Sequence, residues 1–239
     1  MSSIFHTIIS KPLYNGLIAL VGLLPFFDAG IIIIIFTIVV KIIMLPLSIK
    51  ASKAQLQMKS IEKDLQQIKE KHKDSKEEQT KKTMEYYKEN NINPFSGLII
   101  LIIQLPLLIG LYQVFLKSGL PNIDSTLLYS FISSPVPPNM MFLGLIDIAE
   151  KSLFLAVIAG VTSYFQISFS TPQSSPGDTQ SDIAKAMSMQ MKYFFPILMA
   201  FIAYTISSAV ALYLITSNVF AIGQEIYIRK KYHKSAIVM

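Results

Sequence analysis

The stretch IIIIIFTIVVKIIMLPLS, from Ile31 to Ser48, is apolar along almost its whole length and is long enough to cross a bilayer as one helix. A single lysine, Lys41, interrupts it. A lysine at the centre of a membrane helix costs about 2.5–3.5 kcal/mol on insertion scales, so an acidic partner, water or the membrane surface has to relieve it. Because Lys41 precedes Leu47 by six residues, its side chain can also extend toward the interface. The stretch predicts a membrane span that contains one charged residue. The other segments of the chain are needed to choose between these explanations.

The composition of the whole chain also indicates a membrane protein. Of its 239 residues, 52% are hydrophobic and 15% are charged, and the absence of cysteine excludes disulfides and cysteine nucleophiles. Most of the charged residues behind the net charge of +6 lie between the apolar runs. This distribution is better explained by the orientation of membrane spans than by nucleic-acid binding, and we expect no DNA partner. The three histidines lie outside the apolar runs, and no pair of aspartates lies within them. We therefore expect no enzyme activity, catalytic residue, metal site or cofactor.

The apolar runs predict an all-α polytopic membrane protein with five transmembrane helices, an external N-terminal amphipathic helix and a cytoplasmic helical hairpin. The last two spans meet at Ser207 and Ser208 with no room for a loop, which predicts a tight helical hairpin. In chain order we expect an external interfacial helix at 1–28, the first span at 29–50, the cytoplasmic hairpin at 51–92, the second span at 93–116, an external loop at 117–152, the third span at 153–170, a cytoplasmic loop at 171–193, the fourth and fifth spans at 194–207 and 208–228, and a basic cytoplasmic tail at 229–239.

The positions of the basic residues predict the orientation of the spans. The segment between Ser48 and Ile92 contains eleven lysines, whereas the segment between Lys117 and Ser152 contains two, counting Lys117 itself. The eleven residues after Ile228 contain four basic residues. Since short basic segments stay in the cytoplasm, we expect the N-terminus outside and the C-terminus inside.

The segment at 51–92 has the periodicity of two paired helices. Asp74 and Ser75 interrupt the pattern, and Ser75 with Glu78 forms a capping box that starts a second helix. A solvated loop that is rich in lysine only because it lies in the cytoplasm would not need this periodicity. The apolar positions predicted to pair the two helices are Met58, Ile61, Leu65, Ile68, Met84 and Tyr87.

Each of four predicted spans also carries polar residues at helical spacing. Singly, such residues are more often contacts between helices than the wall of a pathway. Four polar stripes together with Lys41 predict a water-filled groove that opens toward the cytoplasm, because no span contains an acid except Glu225 near the end of the last one. The residues assigned to this substrate groove are Lys41, Thr37, Gln104, Tyr112, Ser163, Gln166, Ser217 and Gln224.

Three segments then identify a resemblance. FTIVVKIIMLPLS, YYKENNINPFSGLIILIIQLPLLIGLYQVF and ALYLITSNVFAIGQEIYIRK occur in this order, separated by the lysine-rich hairpin. They resemble the core of the YidC/Oxa/Alb family of membrane protein insertases from about Phe5 to Lys231. The most specific motifs are Asn93-Pro94, Gln104-x-Pro106, Leu111-Tyr112, and Leu212-Tyr213 with Ser217-Asn218. The groove cation of that family is usually arginine, whose position Lys41 occupies here.

The resemblance implies an insertase of a bacterial plasma membrane that moves short polar flanks of nascent membrane proteins through the groove and releases their apolar spans into lipid. The implied partners are nascent membrane proteins and the bilayer, with a Sec translocon and the ribosome as further candidates. Ribosomal RNA and anionic lipid are equal candidates for the basic tail residues Arg229, Lys230, Lys231 and Lys234. A transporter, channel or lipid scramblase that uses the same groove is the alternative function.

Overall fold

The computed structural model describes residues 5–90, 92, 109–110, 120–170 and 190–232, without the side chains of 55, 56, 58, 59, 62, 190, 191 and 232. Almost all of the predicted second span lies outside these residues. The described part contains one two-stranded antiparallel sheet, and its helices are otherwise joined by loops and short turns. The elements are α1 Lys11–Leu23, α2 Ala29–Ser60, α3 Glu62–Lys71, α4 Lys76–Glu89, β1 Met141–Phe142, β2 Ile146–Asp147, α5 Leu153–Ser170, α6 Phe195–Ile206 and α7 Ser208–Tyr232.

Three of the described helices are long and apolar enough to cross a membrane. These stretches are Ala29–Ala54 in α2, Leu153–Ser170 in α5 and Ser208–Lys231 in α7, and a shorter apolar helix covers Lys192–Ile206. They coincide with four of the five spans that the apolar runs predicted. The chain is therefore an α-helical, membrane-type protein.

The first of these helices is longer than its predicted span. It was expected to end near residue 50, yet α2 continues to Ser60 and passes through Pro46 without a break. Proline removes one backbone donor, a loss that transmembrane helices tolerate when neighbouring groups satisfy the freed carbonyl. The first predicted span and the start of the predicted cytoplasmic hairpin thus form one continuous helix.

The bundle itself is formed by α2, α5, α6 and α7, with α7 packed against each of the other three. A small residue brings α5 and α6 together, because a Cβ atom on Gly160 would lie 2.9 Å from Cβ of Ala200. Small residues allow such close approach of helices in lipid, where van der Waals packing replaces the hydrophobic effect. Large apolar side chains remain exposed on the outer faces of α2, α5 and α6.

The loop at 120–152 covers one end of the bundle, which we call the loop end. The amide of Ala29, at the start of α2, donates to the carbonyl of Asn139 at 2.8 Å. At the start of α7, the amide and hydroxyl of Ser208 both donate to the carbonyl of Glu150. Ile148 is fully buried within the same core cluster as Leu212 and Tyr213. The described residues therefore pack closely at the loop end.

The N-terminal helix α1 packs on this loop. Its residues Tyr14, Leu17 and Ile18 are buried in the main core cluster. Asn15 is also buried: its Nδ2 donates to the carbonyl of Leu127 at 3.0 Å, and its Oδ1 accepts from the amide of Tyr129 at 2.7 Å. Asn15, a polar residue in an otherwise apolar segment, thus joins α1 to the loop.

Only Ser207 separates α6 from α7, and its backbone is extended. Its carbonyl accepts from the amides of Val210 and Ala211 in the first turn of α7. Both Ser207 and Ser208 are buried. The two helices are therefore joined with no loop between them, as Ser207 and Ser208 predicted.

The opposite end of the bundle, which we call the hairpin end, leads into α3 and α4. The pattern break predicted at Asp74 and Ser75 falls between these two helices. The Ser75 hydroxyl accepts from the amide of Glu78 at 3.3 Å, so Ser75 caps α4 as its position in the sequence predicted.

Candidate functional site

Lys41 lies near the middle of the apolar part of α2 and is half-buried. Its neighbours Val39, Ile42 and Ile43 are exposed on the outer surface of the helix. A helix turns by about 100° per residue, so Lys41 occupies the edge between the apolar outer face and the packed inner face of α2. Lys41 therefore does not lie at the centre of the packed interface.

A direct polar contact joins α2 to α7 closer to the hairpin end. Ser48, seven residues after Lys41, has its hydroxyl 3.0 Å from Oε1 of Gln224 and 3.1 Å from the carbonyls of Met44 and Leu45. Gln224 was predicted to line the groove. The structure thus brings the polar stripes of the first and last predicted spans into contact.

Three other predicted groove residues are buried between the helices. These are Thr37, Ser163 and Ser217. The hydroxyl of Thr37 donates to the carbonyl of Ile33 in its own helix at 2.7 Å. Ser163 contacts α7 instead. In this conformation these three residues belong to helix packing.

The contact of Ser163 centres on a residue that was noted only as part of a motif. Nδ2 of Asn218 donates to the Ser163 hydroxyl at 2.8 Å and lies 3.2 Å from the Thr162 hydroxyl and 3.5 Å from the Ala159 carbonyl. Asn218 and Ser163 are both buried. A polar amide inside an apolar span is the signal that could have assigned Asn218 to an interhelical contact.

Polar residues near the hairpin end of α5 and α7 also form contacts. Gln166, which is half-buried, donates to the Ser170 hydroxyl at 3.2 Å. Glu225 is buried and accepts from Nε of Arg229 at 2.9 Å, and Arg229 also donates to the carbonyl of Phe169. Arg229, predicted to belong to the basic tail, therefore holds the end of α7 against α5.

In the hairpin, the apolar positions differ in burial. Ile61 and Leu65 are buried, whereas Ile68 and Tyr87 are half-buried and Met84 is 44% exposed. The side chain of Met58 is not described. Burial is therefore concentrated where α3 begins.

Two polar contacts that the periodicity did not reveal join α3 to α4. Nε2 of Gln79 donates to the Lys69 carbonyl at 2.9 Å, and the Tyr86 hydroxyl donates to Oδ2 of Asp64. The second contact raises the pKa of Tyr86, because the neutral phenol is the form that donates to the carboxylate. The hydrogen bond therefore favours the neutral form of Tyr86.

Three of the remaining predicted site residues lie outside the described part of the chain. Gln104 and Tyr112 belong to the predicted second span, and Lys234 belongs to the tail. Lys230 and Lys231 lie in the last turn of α7, and Nζ of Lys231 lies 5.7 Å from the ring centre of Tyr227. Within the described residues, no group of three histidine, aspartate or glutamate side chains is placed to hold a metal ion.

Comparison with known proteins gives matches over most of the chain. The family described as 60Kd inner membrane protein matches residues 23–235. A protein of Fusobacterium nucleatum named membrane protein insertase YidC is 35% identical over 202 residues, which cover 84% of this chain and 86% of that protein. A protein of Clostridium tetani with the same name is 31% identical over 227 residues, covering 95% of this chain and 89% of that protein.

A longer relative also matches almost the whole chain. A protein of Ectopseudomonas mendocina, also named membrane protein insertase YidC, is 28% identical over 233 residues, which cover 97% of this chain but 36% of that protein. The motifs, the helical membrane-type fold and the family match over residues 23–235 agree. The chain belongs to the 60Kd inner membrane protein family, the YidC/Oxa/Alb family whose core its sequence resembles.

Proposed function

We propose that the chain is a bacterial membrane protein insertase that moves short polar flanks of nascent membrane proteins across part of the bilayer. The observation that carries this proposal is Lys41, a half-buried cation at the edge of the packed face of an apolar α2. Family membership supports it, since the relatives from Fusobacterium nucleatum and Clostridium tetani are named insertases. The proposed activity needs no covalent chemistry, metal or cofactor.

The topology of the proposal has five spans, with residues 93–116 as the second span and α6 as the fourth. The N-terminus and the loop end would lie outside, and α3, α4 and the basic tail would lie in the cytoplasm. The excess of lysine in the segment after α2 supports this orientation. In this arrangement α1 lies at the external interface, and its buried face packs on the loop at 120–152.

The groove would run along the hairpin-end half of the bundle. We assign its wall to Lys41, Gln166 and Gln224, which are half-buried, together with Gln104 and Tyr112 from the second span. Thr37, Ser163 and Ser217 would join the wall when a client separates the helices that now bury them. The close packing at the loop end supports a groove that is closed toward the outside.

The groove lowers the main cost of insertion, which is the transfer of polar groups into hydrocarbon. Each unsatisfied polar group costs several kcal/mol there. An acidic residue of a client about 4 Å from Lys41 would gain roughly 4 kcal/mol at an effective dielectric constant near 20. This attraction guides the flank without trapping it. Partition of the client's apolar span into lipid along the exposed faces of α2, α5, α6 and α7 then drives the process.

The hairpin and the tail would receive the client before insertion. The hairpin carries a basic surface that suits anionic headgroups or the ribosome. In the tail, Lys230, Lys231 and Lys234 are the candidates for contact with ribosomal RNA or lipid phosphates. A Sec translocon is a further proposed partner.

One experiment separates insertion from transport. The purified protein is reconstituted into liposomes, and two quantities are measured in parallel: insertion of a small single-span client with an acidic flank, and flux of ions, solutes and labelled lipid. We expect client insertion above that of empty liposomes without solute or lipid flux. Flux without client insertion would contradict the proposal and favour the transporter, channel or scramblase function.

A further inference from the structure

The turn between β1 and β2 exposes large apolar side chains. Leu143 is 62% exposed and Leu145 is 80% exposed, and they flank Gly144. Phe26, in the connection between α1 and α2, is 96% exposed and Phe27 is 43% exposed. Neither the turn nor Phe26-Phe27 carries a charge. Exposed apolar groups of this size mark an interaction surface.

Asp28 fixes the two segments to one another. Its Oδ1 accepts from the amide of Ile31 in the first turn of α2 at 2.9 Å, and its Oδ2 accepts from the amide of Leu143 at 3.1 Å. Phe142 packs directly on Gly30, where a Cβ atom would lie 2.3 Å from its Cδ2. The turn is thus held rigidly against the first turn of α2.

The backbone of the turn is suited to an apolar environment. Leu143 has a φ of 51° and Gly144 has a φ of 71°. The backbone of Leu143 therefore has a left-handed conformation, which residues other than glycine rarely adopt. The amide of Leu143 donates to Asp28, that of Gly144 to the Met141 carbonyl and that of Leu145 to the Phe142 carbonyl. All three donors are satisfied within the protein, so lipid contact leaves none of them unpaired.

The ends of three membrane-length helices fix the depth of this surface. Asp28 immediately precedes the apolar stretch that begins at Ala29, β2 is followed within six residues by the start of α5 at Leu153, and Ser208 at the start of α7 binds Glu150. The ends of spans lie at a bilayer interface whichever way the chain is oriented. The turn is therefore placed at the depth of a bilayer interface.

We propose that Leu143 and Leu145, together with Phe26 and Phe27, form a membrane-interface anchor that inserts among phospholipid acyl chains at the loop end. The partner is the apolar part of the bilayer just beneath the headgroups. The start of α5, at the same end of the bundle, also exposes Leu153 and Phe154, which favours lipid over a second protein as the partner. The anchor would hold the closed end of the bundle at a fixed depth, and it does not depend on the proposed insertase activity.

The chain contains no tryptophan, so a single inserted tryptophan reports its surroundings without background. The Leu145→Trp protein is reconstituted into vesicles that contain phosphatidylcholine brominated near the headgroup end of its acyl chains. We expect blue-shifted emission, several-fold stronger quenching by the brominated lipid than by aqueous iodide, and the reverse for Ser125→Trp. Ser125 is exposed in the same loop but lies in a polar segment, which makes it the matched control.

A second variant tests whether the surface inserts as a unit. Phe26→Trp should be quenched by the brominated lipid in the otherwise unchanged chain and clearly less when Leu143→Asp and Leu145→Asp are also present. Strong iodide quenching of Leu145→Trp without lipid quenching would overturn the proposal, since the turn would then lie in water. Protection of Leu145→Trp from both quenchers would also overturn it, because a protein surface would then cover the turn.

Discussion

Asn218 and Ser163 join α7 to α5 through a 2.8 Å hydrogen bond inside the bundle, where both side chains are buried. The amide of Asn218 reaches the Thr162 hydroxyl as well. Polar contacts between membrane helices contribute about 0.6 kcal/mol each and at most about 1.7 kcal/mol. The main effect of this cluster is therefore to set the position of α7 on α5, and its contribution to stability is small.

We expect Asn218→Ala to lower the free energy of unfolding by about 1 kcal/mol. The loss stays small because the Thr162 hydroxyl keeps its bond to the Ile158 carbonyl. Unfolding in mixed detergent micelles measures it. Thr216→Ala is the matched control, since its hydroxyl bonds only to the Leu212 carbonyl of its own helix among the contacts described. If Ser163→Ala and Asn218→Ala add fully in the double variant, the two residues are not coupled.

The charge at position 41 should determine which clients are inserted. We expect Lys41→Arg to retain insertion, Lys41→Ala to lose it for clients with acidic flanks, and Lys41→Glu to be worse still, because the substituted carboxylate repels the flank. Insertion into liposomes measures the effect. Lys50→Glu is the control for net charge, since Lys50 is exposed further along the same helix. Equal insertion by Lys41→Glu and the unchanged chain would reject the electrostatic role and leave extension toward the interface as the explanation for Lys41.

The hairpin should depend on the two buried residues at the start of α3. We expect Ile61→Asp with Leu65→Asp to separate α3 from α4, because each buried carboxylate would have to lose its hydration. Hydrogen exchange of α4 should then become faster, and client insertion should fall while the spans stay intact. Met84→Asp is the control, because Met84 is already largely exposed. Normal insertion by the double variant would show that the pairing of these helices is not needed for function.

Cysteine labelling should locate the groove, since the chain has no native cysteine. We expect Gln166→Cys and Gln224→Cys to react with a membrane-impermeant thiol reagent from the cytoplasmic side, because water there supports the thiolate. Ser163→Cys should react much more slowly, since Ser163 is buried. Val161→Cys, exposed on the outer face of α5, should stay unreactive in lipid. Labelling of the two glutamine positions from the external side would instead indicate a continuous pore.

Features that depend on local patterns of residues could be predicted from the amino-acid sequence. Apolar runs of membrane length located α2, α5 and α7, because hydrophobicity over about 20 residues decides whether a helix suits lipid. The break at Asp74 and Ser75 and the connection at Ser207 also depend on neighbours in the chain. Lys41 could be singled out from the sequence because a charge inside a membrane helix costs free energy however that helix packs.

The contacts between residues of different helices, in contrast, became evident from the packing of the bundle. Periodicity places Thr37, Ser48 and Ser163 on faces of single helices, but it does not give the rotation and crossing of those helices. The contacts of Ser48 with Gln224 and of Ser163 with Asn218 depend on both. Asn15 likewise bonds to Leu127 and Tyr129, which lie more than a hundred residues further along the chain. Such contacts are fixed by the packing of whole helices, which no local window of sequence contains.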